Sequence, residues 1–114
     1  MLLRYNLREF STIKILELTG DLTETSGQGL EEIVLRIIER ESLMIDVSGV
    51  IIVTSGGLKY LVELSMEARD RGQRIIILYP GEELRSLAET ADSYHLLIFA
   101  ESPEEGETKI RHYT

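Results

Sequence analysis

The sequence predicts a single α/β domain, built on a mixed, mostly parallel sheet of four to five strands with three to four helices. Short β-branched runs alternate with amphipathic stretches at helical spacing in the order β β α β α β α β, and each strand–helix–strand succession makes parallel neighbours through a crossover. A chain of 114 residues has the size of one hydrophobic core and not two.

Leu2 to Leu7 reads as the first strand. TIKILEL, from Thr12 to Leu18, reads as the second, with Ile13, Ile15 and Glu17 on one face and Lys14, Leu16 and Leu18 on the other. The short turn near Arg8 to Ser11 favours an antiparallel hairpin. TGDLTETSGQG then supplies turn residues, and Thr25 followed three positions later by Gln28 matches a capping box, so a helix is expected from there. Leu30, Ile33, Val34, Ile37 and Ile38 give that helix one apolar stripe to lay on the sheet. LMIDV, Leu43 to Val47, is apolar enough for a central strand, with Asp46 expected to accept backbone or hydroxyl hydrogen bonds near its end. SGV reads as a turn into the β-branched run VIIV.

Leu58, Leu61, Val62, Leu64 and Ala68 mark a second amphipathic helix that Gly72 stops. Arg74 to Leu78 reads as a buried strand and YPG as a turn. Glu82 to Thr90 reads as a short helix with acidic residues at its positive end, and HLLIFA as the last strand. ESPEEGETKIRHYT is polar and expected to fray, which places the domain at residues 1–106 and a polar tail at 107–114.

Composition excludes several functions. Without cysteine there is no thiolate zinc site and no thiol catalysis. His95 and His112 are far apart and lack a carboxylate at ligand spacing, so no metal or other cofactor is expected. A net charge of −8 and a pI near 4.7 argue against nucleic acid as a partner. The apolar start is too short for a signal peptide, and no segment approaches the roughly 20 apolar residues that span a bilayer, so a soluble cytoplasmic protein without a membrane partner is expected.

The stretch VTSGGLKYL, residues 53 to 61, is the most informative junction. Read as plain structure, Thr54 and Ser55 stand where N-caps belong and Gly56 and Gly57 relieve crowding. Read as an anion cradle, the junction lacks the residues of a P-loop or of GxGxxG. Read as a nucleophile elbow, Val53 stands where a first glycine belongs, and only His95 or His112 could act as base, which leaves a serine hydrolase a remote alternative.

LTGDL at 18–22, MIDVSGV at 44–50, TSGGLKYL, GQRIIIL at 72–78 and SPEEG near the end together resemble the STAS domain of bacterial anti-sigma-factor antagonists, in order and spacing, from about residue 4 to residue 106. The resemblance implies a non-enzymatic protein that captures an anti-sigma factor with serine kinase activity and is released when a serine at the junction is phosphorylated. In that family the junction commonly reads DSSGL. Here Thr54 replaces the Asp, Ser55 the first Ser, and Gly56 the second Ser, the usual modified residue; glycine accepts no phosphate. Phosphorylation is therefore expected at Ser55, with Thr54 second, or the domain binds without that switch as a scaffold or ligand-sensing module. Gly106 stands where an Ala often begins the helical tail, so a short or missing C-terminal helix is expected. The partner-binding residues implied are Asp21, Thr23, Thr54, Ser55, Gly56, Gly57 and Lys59.

Overall fold

A computed structural model describes residues 2–113. Its strands are β1 (Leu3–Phe10), β2 (Ile13–Leu22), β3 (Leu43–Val53), β4 (Ile75–Leu78) and β5 (Phe99–Ala100). Its helices are α1 (Gly27–Ile38), α2 (Ser55–Asp70), α3 (Glu82–Thr90) and α4 (Pro103–Tyr113). The sheet has the order β1-β2-β3-β4-β5, antiparallel only between β1 and β2. This is the α/β fold class expected.

Alternation along the strands sorts the core into two layers. Leu16, Leu18, Leu43, Ile45, Ile75 and Ile77 face the larger cluster, which the stripes of α1, α2 and α3 complete through residues such as Leu30, Val34, Leu61, Leu64 and Leu84. Ile15, Met44, Ile76, Leu78 and Ala100 face the other way, onto Ile110 of α4. Where α4 does not reach, that second face is polar. Arg8 bonds Glu17 at 2.5 Å and lies 3.6 Å from Asp46, while Asn6 donates to Glu17 at 2.7 Å. These contacts lower the Glu17 pKa, the Asn6 hydrogen bond first and Arg8 second. Asp46 accepts from the Ser48 N–H at 2.9 Å and the Ser48 hydroxyl at 2.7 Å, the structural role expected of it.

Four readings are corrected. The polar tail is helix through Tyr113, so a boundary at 106/107 falls inside α4. Ser102 accepts from the Glu105 N–H at 3.1 Å, Glu105 accepts from the Glu101 N–H at 2.6 Å, Pro103 opens the first turn, and Glu105–Lys109 and Glu107–Arg111 pair one turn apart. Gly106 is buried against Met44, where a Cβ would come within 2.8 Å of the sulfur. SGV is not a turn: β3 runs on through it, shifted in register against β2 between Glu17 and Thr19 and again between Gly20 and Asp21. Gly49 belongs there because a Cβ would sit 2.7 Å from the Leu18 carbonyl oxygen. The last strand shrinks to Phe99–Ala100, since Tyr94–Leu96 forms a 3-10 turn. Finally, Thr25 and Gln28 form no capping box: α1 starts at Gly27, and the Ser26 hydroxyl accepts from the Thr23 N–H and donates to the Asp21 carbonyl.

Candidate functional site

The junction lies at the carboxyl end of the parallel strands, where ligands and partners of open α/β sheets tend to dock. Thr54 has extended backbone, φ −100° and ψ 168°, and its Oγ1 accepts from the Gly57 N–H at 3.1 Å. That is the N-cap geometry the hydroxyl was expected to supply. The Thr54 N–H donates to the Leu22 carbonyl at 3.1 Å, which ties the start of α2 to the end of β2. Gly57 sits on that contact: a Cβ there would lie 2.1 Å from the Leu22 carbonyl oxygen and 3.0 Å from the Thr23 nitrogen. Backbone against backbone leaves no room for a side chain.

Ser55, by contrast, is the first residue of a 16-residue helix and is exposed. One helical turn on, Lys59 is exposed too. Beside the start of the helix stands Glu24, whose carboxylate accepts from the Thr54 hydroxyl at 3.3 Å. The same carboxylate lies over Gly56, where an added Cβ would meet Oε2 at 2.1 Å and the Glu24 Cβ at 2.8 Å. A negative charge thus already occupies the positive end of α2.

The structure brings Thr23, Thr54, Ser55, Gly56 and Gly57 together around that helix start. Asp21 differs from them. It is buried, only 8% exposed, opposite Ile52 in the β2–β3 register, so it presents little surface, and its carbonyl accepts from the Ser26 hydroxyl at 2.7 Å. Glu24 is the residue that sequence reasoning missed; no periodicity or motif links positions thirty apart in the chain. Tyr60 is half-buried, with its ring over Gly27, where a Cβ would meet it at 2.1 Å, so it packs α2 on α1.

With His95 as the base, a catalytic reading of Ser55 fails on distance. His95 lines a cleft with Ser65, Arg69 and Arg74, beside the far end of α2. From Ser55 to Arg69 that helix rises by roughly 20 Å, far beyond the reach of a proton acceptor. Among the described residues there is no group of three or more His, Cys, Asp or Glu arranged to hold a metal ion, and no helix is long and apolar enough to cross a membrane.

The fold has known counterparts. An anti-sigma factor antagonist from Mycobacterium paratuberculosis superposes with a TM-score of 0.80 at 15% identity, over 96% of this chain and 94% of that one. The Bacillus anti-sigma factor antagonist SpoIIAA, in its unphosphorylated form, gives 0.73 at 16% identity, over 96% and 97%. The murine anion transporter Slc26a9 gives 0.69 at 17% identity; the match covers 92% of this chain but 18% of the transporter. None of the curated proteins matches. The family model for the STAS domain matches residues 4–105, nearly the whole chain, and this protein therefore belongs to the STAS domain family.

Proposed function

We propose that this domain is a cytoplasmic, non-enzymatic anti-sigma-factor antagonist, and that it regulates transcription by capturing an anti-sigma factor with serine kinase activity. Phosphorylation of Ser55 ends the capture. The observation that carries this reading is the exposure of Ser55 in the first turn of α2, while Thr54 beside it uses its hydroxyl to cap the helix and to hold Glu24. A phosphate on Ser55 adds about 1.5 to 2 negative charges and three acceptor oxygens at a helix start already occupied by Glu24, enough to repel a docked partner or to displace that carboxylate. Thr23, Thr54, Gly56 and Lys59 border the same surface and belong to the proposed contact.

The test is to incubate the domain with the anti-sigma factor kinase and ATP and to map phosphate by mass spectrometry. One phosphate on Ser55 is expected, none in Ser55→Ala, and loss of capture in Ser55→Asp. Ser55 and Thr54 both staying unmodified overturns the switch.

One observation favours a second reading, in which the domain binds without phosphorylation as a scaffold or sensing module. The Glu24 carboxylate fills the space over Gly56, the position the resemblance gives to the modified serine, so the anion at this helix start is built in. Under that reading capture is independent of ATP, and Glu24→Gln changes partner affinity where Ser55→Ala does not.

A further inference from the structure

Strand β3 has two edges of unequal length. Its ladder with β2 continues to the pair Leu22–Val53, whereas its ladder with β4 stops at Asp46–Leu78. The cause lies at the end of β4. Tyr79 adopts a positive φ of 55°, which bends the chain out of the strand, and Pro80, the next residue due to donate toward β3, has no N–H to continue the ladder. From Val47 to Val53 the side of β3 away from β2 is paired with no strand among the described residues.

That open edge, roughly 20 Å long, borders a cleft of 320 Å³ closed on its far side by the start of α3. Leu22, Val47 and Leu84 contribute apolar lining, while Glu82 and Glu83 stand exposed at the rim. Ile51, which also lines the cleft, is 66% exposed, and Ile52 beside it 48%. Proteins usually shield such an edge with Lys, Pro or a covering segment, yet VSGVIIV holds neither a charge nor a proline.

We propose that the Val47–Val53 edge and this cleft bind an extended segment of a protein partner as an added strand, apolar at alternate positions and carrying Lys or Arg against Glu82 and Glu83. Main-chain bonds to the open edge supply affinity, and every second side chain descends onto the apolar lining. The acidic rim, on a chain of net charge −8, selects for cations. A second copy fits poorly, because its own 47–53 segment brings no positive charge to that rim. The inference stands whether or not Ser55 is phosphorylated, since it uses the other side of β3's end.

The experiment titrates the full chain with a short acetylated peptide of alternating valine and lysine and follows backbone amide exchange residue by residue. Exchange within 47–53 should slow about tenfold at saturation, and β1, the sheet's other edge, should not change. Converting both Glu82 and Glu83 to lysine should weaken the peptide about tenfold, and a peptide of valine and glutamate should fail to bind. No slowing within 47–53, or equal slowing along β1, overturns the proposal. So does slowing that follows protein concentration without peptide, which would assign the edge to a second copy.

Discussion

The two halves of β3 are both mostly apolar, the second the richer in β-branched residues, and they meet opposite fates. Leu43 to Asp46 is paired on both edges and buried on both faces, with Leu43, Met44 and Ile45 at 0% exposure. Val47 to Val53 keeps one neighbour, gains two register shifts and ends with Ile51 and Ile52 in solvent. The difference teaches that β-branched composition sets a preference for extended chain, while burial is decided by whether a neighbour stays alongside. Here the neighbour leaves at Tyr79. The buried half holds the domain together, and the half it leaves bare leads directly into the start of α2.

Substitutions should sharpen that contrast in urea titrations. Ile45→Ala removes a fully buried side chain between β2 and β4 and should cost about 3 kcal/mol, whereas Ile51→Ala should stay within about 0.5 kcal/mol. Equal losses would show that the second half is covered in solution. Gly57→Ala drives a methyl onto the Leu22 carbonyl and should cost about 2 kcal/mol while loosening the link between β2 and α2. A stable variant with unchanged amide spectra at Thr54 would remove the steric argument. Thr54→Ala leaves the Gly57 N–H without its cap and should cost about 1 kcal/mol, with Thr54→Ser restoring most of it.

The smallest effect is expected on the polar face beside the buried half. Glu17 titrates below its usual range in the folded protein because Asn6 and Arg8 hold its charged form. Its contribution is present above the unfolded carboxylate pKa of about 4.3 and is lost as pH falls through the lower folded value. Glu17→Gln should therefore flatten the acid limb of stability against pH slightly and leave neutral stability within about 0.5 kcal/mol. A folded-state Glu17 that titrates at or above the ordinary value would contradict the ion-pair geometry.

Much of this was legible in the chain. The stripe of Leu30, Val34 and Ile38 and the run IIIL announce a helix on a sheet and a central strand without help from tertiary context. Thr54 was recognisable as a cap because capping is local. What escaped was either non-local or carried by too few residues. Gly49 signals a turn to any local reading, and only the close approach of Leu18 shows that it serves a bulge. Over residues 103–112 of α4, Gly106 and Ile110 are the buried positions, too few to raise a helical period, although SPEE spelled a helix start. At the junction, Ser55 is singled out by its neighbours in sequence, while Glu24 reaches Thr54 only through the fold.

Glu24 and Gly56 divide one small volume between them. Any larger residue at 56 must evict the carboxylate, and a shorter residue at 24 removes the carboxylate from that space but leaves its Cβ 2.8 Å from the added one, so the chain there must still shift. The two positions are consequently expected to vary as a matched pair among close relatives, and a double-mutant cycle of Glu24→Ala with Gly56→Ser should be non-additive, the second change costing less once the first is made.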